Sequence, residues 1–414
     1  MKWLYNVGIF CYGILLQLAS LLGNSKARLW ASGRKDWRLH YASKLQSIHG
    51  CTWFHCASLG EFEQGRPVIE SYREKYPEKK ILLTFFSPSG YEIRKDYRFA
   101  DFVCYLPLDL PGSMNDFIEA SQPSEVYFIK YEFWFNLLAT LNKKKIPVYL
   151  VSAIFRESHW FFRSITGGYF LRELMRVRHF FVQDKLSAAV LHRHGITAVT
   201  VSGDTRFDRV ITNAETAFNT TIFDSWCSGA TTLVAGSTWP SDEKIVLDAI
   251  GRVFTKEQLI LVPHELSPSH LESLRHKLKV SGLSAQTEFL SQITQHPSAS
   301  TRIIIVDSIG LLSKLYRYAS VAYIGGGFGA GIHNTLEAAV YGVPILFGPN
   351  YKKFREAIDL IDCRGADCVN NVHKLQEKLS ELFNDIDRRN NKGNAAKRYV
   401  TDNKGATKAI LDMV

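Results

Sequence analysis

The sequence predicts an α/β protein with two doubly wound domains behind an N-terminal membrane-anchor helix, and three observations lead to this prediction. The chain has 414 residues, which is enough for two buried cores. Short apolar runs alternate with longer amphipathic segments over most of its length, the pattern of a parallel sheet covered by helices. An uncharged apolar stretch stands at the start. With 46% hydrophobic and 22% charged residues, the chain has the composition of a folded protein.

Residues 1–25 are predicted to form an uncleaved membrane-anchor helix. No charged residue lies between Lys2 and Lys26, and a helix of that length reaches about 30 Å, the thickness of the hydrocarbon core of a bilayer. Asn6 and Gln17 leave a re-entrant or interfacial helix as an alternative. A cleaved signal peptide is another alternative, although no small-x-small cleavage site follows. Basic residues after the stretch predict that the rest of the chain is cytoplasmic and lies against anionic headgroups; they are Lys26, Arg28, Arg34, Lys35 and Arg38.

In the first half of the chain, strands are predicted in short, β-rich apolar runs and helices in the segments between them. The strands are Thr52–Ala57, Lys80–Phe86, Phe102–Leu106, Val126–Lys130, Val148–Val151 and Phe180–Gln183. The helices include Glu61–Lys75, Gly112–Ser121 and Phe133–Lys143.

The polar stretch Asp208–Gly229 then interrupts the alternation, which predicts a domain boundary. Strands resume at Thr232–Ala235, Leu259–Val262, Arg302–Val306, Val321–Ile324 and Pro344–Phe347. We expect a first domain over residues 26–210, a second over 211–390, and a C-terminal helical segment, 391–414, that packs back on the first domain. Ligands of such sheets bind at the carboxyl ends of the strands, so the expected site is a cleft between the domains.

Charge and cysteines limit the classes of function. A formal net charge of +10 attracts anions, whether nucleic acid, phosphorylated lipids or nucleotide substrates, and does not choose among them. The seven cysteines include no C-x-x-C pair. The sequence therefore predicts neither a disulfide framework nor a zinc site, and it favours a reducing compartment.

Candidate acidic residues follow two of the first-domain strands. Glu61 comes after Cys56-Ala57-Ser58-Leu59-Gly60, where a strand ends and a helix begins, and a carboxylate there can take a proton from an attacking hydroxyl. The alternative is a helix-start glutamate favoured by the helix dipole, which lowers the pKa of a carboxyl. Glu132, in Tyr131-Glu132-Phe133-Trp134, is a second candidate beside large aromatics, with a capping role as its alternative.

Two further first-domain segments carry groups suited to sugars and anions. Thr84–Gly90 places hydroxyls and a glycine after a strand, where they can hold sugar or phosphate oxygens or simply form a turn. Gly203–Asp208 contains Arg206, which can neutralise a phosphate or carboxylate, or lie on the surface as an ordinary arginine.

The most specific pattern is the glycine-rich segment Gly325–Glu337, between the predicted strand Val321–Ile324 and a predicted helix Leu336–Tyr341. Glycines allow the backbone to approach a phosphate, and the helix start offers free amides. Glu337 can accept hydrogen bonds from ribose hydroxyls. The segment lies too far along the chain for the dinucleotide fingerprint, and a plain glycine-rich loop is its alternative.

With these residues, the chain resembles the 3-deoxy-D-manno-octulosonic acid (Kdo) transferases, and the resemblance extends from the N-terminus to about residue 360. Ser58–Glu61 is similar to the family's V-G-E, and Leu106–Gly112 to its Y-D-x-P-G. Glu132–Asn136 resembles its E-L-W-P-N, and Gly203–Asp208 its G-N-x-K-F-D, with arginine for lysine. The resemblance implies the GT-B fold, two Rossmann-like domains facing a central cleft.

The same resemblance implies roles for individual residues. Glu61 would be the general base, and Glu132 and Arg206 would stabilise the transition state. Residues that would hold the CMP part of CMP-Kdo are Pro263, His264, Ile309, Gly310, Leu311, Asn334, Thr335, Leu336 and Glu337. The chain departs from the family where His264 and Glu265 replace an Arg-His pair and where Leu311 replaces an acidic residue.

The activity that the resemblance implies is inverting, metal-independent transfer of Kdo from CMP-Kdo to lipid IVA in lipopolysaccharide core biosynthesis. It implies no cofactor and no nucleic-acid partner, but contact with inner-membrane lipids. Two alternatives remain at this point: another GT-B transferase that uses a UDP-sugar, and a non-catalytic, basic, membrane-tethered binding protein.

Overall fold

The computed structural model describes residues 2–130, 133–218 and 220–414, with the backbone alone at 164–166. The chain divides into two compact units. Unit 1 consists of Met1–Arg209 with Lys404–Val414, and unit 2 of Val210–Asn403.

The described part of unit 1 is built on a seven-stranded parallel sheet of order β3-β2-β1-β4-β5-β6-β7. The strands are β1 Thr52–Cys56, β2 Ile81–Phe85, β3 Phe102–Tyr105, β4 Glu125–Ile129, β5 Val148–Ala153, β6 His179–Val182 and β7 Val199–Val201. Strands β1 and β2 are buried along their whole length, as expected of a parallel sheet with helices on both faces.

The helices of unit 1 cover this sheet and precede it. They are α1 Lys2–Leu21, α2 Ser25–Ser32, α3 Trp37–Gln46, α4 Leu59–Lys75, α5 Pro88–Arg94, α6 Pro111–Ser121, α7 Phe135–Lys143, α8 Ser164–Leu174, α9 Lys185–Arg193 and α10 Thr205–Glu215, whose last turns enter unit 2. By length and composition α1 is apolar enough to cross a membrane, and it is the one such helix among the described residues.

Unit 2 contains a second parallel sheet, with seven strands in its described part and the order β10-β11-β9-β8-β12-β13-β14. The strands are β8 Thr232–Thr238, β9 Gln258–Pro263, β10 Thr287–Phe289, β11 Ile303–Ile305, β12 Val321–Ile324, β13 Ile345–Phe347 and β14 Ala366–Cys368. Its core joins residues of these strands to the helices Pro240–Val253, Pro268–Val280 and Val372–Asn384.

The helices that belong to unit 2 follow the strands in α/β alternation. They are α11 Thr221–Trp226, α12 Pro240–Val253, α13 Pro268–Val280, α14 Leu312–Leu315, α15 Leu336–Ala339, α16 Arg355–Asp362, α17 Val372–Asn384 and α18 Ile386–Asp402. The predicted helix Leu336–Tyr341 is shorter than expected, because α15 ends at Ala339 and Gly342 follows with a φ of +76°.

The C-terminal segment from residue 391 onward contains the end of α18 and one more helix, α19 Ala406–Leu411. Only the residues from Lys404 belong to unit 1. There Ile410 is fully buried in the core formed with α4, and the Lys75 ammonium donates to the Leu411 carbonyl at 2.5 Å. Asp208 accepts from the amides of Gly405 and Thr407, which fixes the start of α19.

Candidate active site

Glu61 lies at the carboxyl edge of the first sheet, in the first turn of α4. Ser58 precedes this helix in extended conformation, and its amide and hydroxyl both donate to Glu61 Oε2, at 2.9 and 3.2 Å. This capping box is the structural role that the sequence left open for Glu61. It fixes the carboxylate at the end of β1 and leaves Oε1 outside the box.

Burial decides the protonation behaviour of Glu61. The residue is 8% exposed, and burial raises the pKa of its carboxyl above the usual value. The Lys130 ammonium and the hydrogen bonds from Ser58 act in the opposite direction without cancelling the rise. The helix dipole alone predicted a lowered pKa, whereas burial of the side chain acts in the opposite direction. A carboxyl with a raised pKa is a better proton acceptor near neutral pH.

Lys130 directly follows the neighbouring strand β4 and is held in an unusual backbone conformation. Its φ is +73°, in the left-handed region that costs a non-glycine residue of the order of 1 kcal/mol or more. Residues 131 and 132 follow directly, so the predicted role of Glu132 lies outside the described residues. Lys130 itself was not predicted as a functional residue.

A buried hydrogen-bonded chain fixes Trp134, which follows that segment. Trp134 Nε1 donates to Nε2 of His55 at 3.1 Å, and His55 Nδ1 lies 2.8 Å from Thr84 Oγ1. Because Nε2 accepts, the neutral ring carries its proton on Nδ1 and donates it to Thr84. Burial lowers the pKa of His55 to about 3, which keeps the ring neutral. Trp134 also packs on Phe86, with ring centroids 4.5 Å apart.

Arg206 stands in the first turn of α10 and is oriented by its own loop. Its Nε donates to Asp204 Oδ2 at 2.8 Å, and its backbone amide to Asp204 Oδ1 at 2.9 Å. Next to it, Thr205 Oγ1 donates to the Gln64 carbonyl of α4 at 2.5 Å. Glu61 and Arg206 therefore lie on segments that are hydrogen-bonded to each other at the carboxyl edge of the sheet.

In unit 2, Asp242 organises the glycine-rich segment after β12. This fully buried carboxylate accepts from the Gly326 amide at 2.8 Å, the Trp239 amide at 3.0 Å and the Tyr323 hydroxyl at 2.9 Å. Gly326 has a φ of +90°, which side chains rarely allow. A Cβ on Gly327 would lie 2.5 Å from the Gly348 nitrogen. The two glycines thus allow a backbone packing that other residues would prevent.

An aromatic platform stands beside this segment, at the carboxyl ends of β8 and β9. Trp239 Nε1 donates to Nε2 of His333 at 2.9 Å, and the two rings are nearly coplanar, with an interplanar angle of 11°. The exposed His264 ring stacks over both, with centroids 4.6 Å from Trp239 and 4.4 Å from His333. Burial, followed by the proximity of His264, lowers the pKa of His333 to about 4. At neutral pH His333 therefore offers Nδ1–H as a donor.

Other residues that were predicted to bind the nucleotide lie at the same carboxyl edge of the second sheet. Asn334 Nδ2 donates to Glu337 Oε1 at 3.1 Å, and Asn334 Oδ1 accepts from the Leu336 amide. Leu336 is fully buried, so its side chain is part of the core. The hydroxyl of Thr335 is buried without a hydrogen-bond partner in the described structure, as is that of Thr238 at the end of β8.

Two separate segments contain the remaining residues that were predicted to bind CMP. Pro263 ends β9 and is buried, and the next amide, of His264, donates to the Thr238 carbonyl at 2.9 Å. Ile309 is 91% exposed, and Gly310 has a φ of +92° before Leu311, the residue that precedes α14.

Sequence patterns singled out Glu61 and the glycine segment, which contains His333, but not Lys130, Trp239 or Asp242. Trp239 follows a strand just as His264 does, and this was the signal that could have identified it. The contact between Trp239 and His333 joins residues 94 positions apart. No local pattern reveals such a pair.

Comparison with known proteins identifies relatives over most of the chain. The family model "3-Deoxy-D-manno-octulosonic-acid transferase (kdotransferase)" matches residues 34–209. A 3-deoxy-D-manno-octulosonic acid transferase of Haemophilus influenzae is 26% identical over 375 residues, 87% of this chain and 86% of that protein. The Aquifex aeolicus protein of the same name is 29% identical over 346 residues, 82% of this chain and 88% of its own length.

Among solved structures, UDP-GlcNAc 2-epimerase from Neisseria meningitidis, bound to UDP-GlcNAc, has a TM-score of 0.60 at 16% identity. The match covers 87% of this chain and 98% of that one. At this identity the likeness concerns the fold alone. It confirms the predicted GT-B class, in which each unit is a Rossmann-like α/β domain.

Proposed function

This chain belongs to the 3-deoxy-D-manno-octulosonic acid (Kdo) transferase family of glycosyltransferases, and from that premise we propose that it transfers Kdo from CMP-Kdo to lipid IVA in lipopolysaccharide core biosynthesis. The proposed reaction inverts the anomeric configuration and needs no metal. The observation that carries the proposal is the carboxylate of Glu61, which the capping box orients at the carboxyl edge of the first sheet and whose pKa burial raises.

Glu61 is the proposed general base. It takes the proton of the 6′-hydroxyl on the distal glucosamine of lipid IVA as that oxygen attacks the anomeric carbon of Kdo. The bond from this carbon to the phosphate oxygen breaks, and CMP leaves from the opposite face. Arg206 and Glu132 are proposed to stabilise the charge that develops at the reacting centre.

The donor is proposed to bind unit 2. Glycines 325 to 327 pack closely against other backbone, and the platform of Trp239, His264 and His333 stands beside them. The phosphate of the donor is proposed to bind next to this segment. His333 Nδ1–H and the His264 ring supply donors for the acidic parts of CMP-Kdo. Asn334 and Glu337, already hydrogen-bonded to each other, are proposed to meet the ribose; Pro263, Thr335, Leu336 and the segment Ile309, Gly310, Leu311 complete the CMP site.

The membrane is the proposed working surface, because the acceptor is a phosphorylated lipid. Helix α1 has large exposed apolar side chains, and basic residues follow it. We place the enzyme at the bacterial inner membrane, with both units on the cytoplasmic side.

Mass spectrometry of lipid IVA incubated with enzyme and CMP-Kdo tests the proposal, with UDP-GlcNAc in a parallel reaction. We expect a mass increase of one or more Kdo units with CMP-Kdo only, unchanged by EDTA. Glu61→Gln should lose nearly all transfer, about 10²-fold or more. Glu74→Gln, a change of an exposed carboxylate on the same helix, is the matched control and should retain the activity. Turnover of the UDP-sugar alone, or an active Glu61→Gln, would contradict the proposal.

A further inference from the structure

Helix α1 has two different faces. Residues at least partly buried against unit 1 recur at helical spacing; they are Tyr5, Ile9, Gly13, Leu16 and Ser20. The opposite side exposes large apolar side chains, among them Trp3, Leu4, Phe10, Leu15 and Leu18, between 49% and 71% exposed. One side of the helix thus contacts the rest of unit 1, and the other side is available to lipid.

Specific contacts hold the docked side near the start of the helix. The Tyr5 hydroxyl donates to the fully buried Asp109 at 2.6 Å, and Asn136 Nδ2 donates to Asn6 Oδ1 at 2.8 Å. The Tyr5 ring meets Phe135 edge to face at 5.7 Å. These polar contacts would not persist at the centre of a hydrocarbon layer, because Asp109 and the start of α7 would have to enter it as well.

The contacts continue at the middle of the helix. Tyr12 stacks on Phe86 at 6.2 Å and meets Trp30 edge to face at 6.4 Å. Gly13 allows close packing, since a Cβ there would lie 2.7 Å from Leu108 Cδ2. Phe86, Leu108 and Asp109 follow β2 and β3, so α1 lies over the same carboxyl edge of the sheet at which Glu61 begins α4.

We propose that α1 is an in-plane membrane helix, which lies in one leaflet with its exposed side among the acyl chains and does not cross the bilayer. A crossing helix is surrounded by lipid on all sides over about 30 Å, whereas this one contacts a folded domain from Tyr5 to Gly13. The inference rests on the proposed membrane function and deepens it. It brings the Glu61 edge to the level of the lipid headgroups, where a lipid-borne hydroxyl arrives without leaving the bilayer.

Charge and apolar exposure around α1 fit an anionic lipid surface. Lys26 and Arg28 follow the helix, and exposed Lys35 stands a few residues further on. Leu39 on α3 is 82% exposed, and Trp160, packed on Phe170 beside the start of α1, is 43% exposed. Cations and aromatic side chains around one apolar stripe are typical of helices that lie in the interface.

Depth measurements along one stripe of α1 test the proposal. Leu4, Cys11 and Leu18 are seven residues apart on the exposed side, about 10 Å per step along the axis. Cys11 and Cys363 are the exposed native cysteines in the described structure, so each labelled chain keeps only one exposed cysteine. The first chain has Cys363→Ser and is labelled with an environment-sensitive fluorophore at native Cys11. The other two have Cys11→Ser and Cys363→Ser and are labelled at Leu4→Cys or Leu18→Cys. The full-length protein is bound to vesicles of phosphatidylethanolamine and phosphatidylglycerol that contain spin-labelled lipids.

An in-plane helix predicts the same shallow depth at all three positions. A crossing helix predicts Cys11 near the bilayer centre, about 10 Å deeper than the other two, and this result would overturn the inference. Absence of quenching at all three positions would overturn it too. A label at Val280→Cys, exposed on unit 2, is the control that should not be quenched.

Kdo transfer is measured on the same samples, so that the two proposals fail separately. Equal shallow depths without transfer contradict the proposed reaction alone. Transfer with a crossing depth profile contradicts the in-plane helix alone.

Discussion

At the scale of single residues, the charge of Lys130 sets how far the pKa of Glu61 rises. Burial raises this pKa and Lys130 opposes the rise, so Lys130→Met should raise it further. A base must be deprotonated to act, and its activity is lost as the pH falls through its pKa. We therefore expect the acid limb of the kcat profile to move to higher pH.

Lys145→Met is a matched control for this change. Lys145 is also a lysine with a left-handed backbone, at a φ of +58°, but it precedes β5 at the amino edge of the sheet. Its removal should leave the acid limb where it is. An unchanged profile in Lys130→Met would show that Glu61 does not control this limb.

The hydrogen bond between Trp239 and His333 is the second residue-scale device. Trp239→Phe keeps an aromatic ring under His264 but removes the donor to His333 Nε2, which frees that nitrogen to take a proton. The pKa of His333 should rise from about 4, and CMP should bind about 2- to 10-fold more weakly. Imidazole NMR titration and calorimetry of CMP binding measure the two effects.

Trp226→Phe serves as the control, because its indole also donates, to the Thr301 carbonyl at 3.1 Å, before β11 at the amino edge of the sheet. The Trp226→Phe variant should bind CMP as the parent chain does. If the Trp239→Phe variant and the parent chain bind CMP equally well, the platform is not part of the CMP site.

The sequence could predict the parts of the site that depend on local features of the chain, but not the parts that depend on contacts between distant residues. The position of Glu61 was predictable, because the end of a strand and the start of a helix are local features. The direction of its pKa was not, since it follows from burial of the side chain in the folded structure. The contact of Trp239 with His264 and His333 was not predicted, because the three rings come from separate segments of the chain.

At the scale of elements, the glycine-rich segment is a close backbone packing. Gly327→Ala would place a Cβ 2.5 Å from the Gly348 nitrogen, where neither backbone can move without disturbing β13. We expect unit 2 to be destabilised by about 1–3 kcal/mol. Urea unfolding followed by a probe in unit 2 measures this.

Gly251→Ala gives the opposite expectation in the same unit. Gly251 lies inside α12 with open space around its Cβ position, so alanine should stabilise the helix by about 0.5–1 kcal/mol. Equal effects from the two substitutions would mean that the glycine segment is not closely packed.

The buried strands were predictable, and the short, partly exposed strands at the sheet edges were not. Hydrophobic runs such as β1 and the central strand β12 stand out because they are buried on both faces. Three strands were missed, β7, β10 and β14, each of three residues and at a sheet edge. Their residues are partly exposed, so no apolar run marks them.

At the scale of the whole molecule, both units use the carboxyl edge of a parallel sheet in the same way. Non-glycine residues with a left-handed backbone stand at the ends of strands there: Lys130 after β4, Ser152 in β5 and Ser237 in β8, with φ between +52° and +73°. Backbone strain of this kind persists where the surrounding structure fixes it, as at binding and catalytic edges.

The division of labour between α1 and the rest of unit 1 leads to the last prediction. Deletion of residues 2–24 should remove binding to anionic vesicles, as for any anchor. Because α1 also covers Phe86 and Phe135 and bonds to Asp109, the deletion should in addition lower the melting temperature of unit 1 by about 5 °C or more. Vesicle sedimentation and thermal unfolding in detergent separate the two effects. An anchor that merely tethers the domain would lose vesicle binding at an unchanged melting temperature, and that outcome would show that the contacts of α1 with unit 1 contribute nothing to its fold.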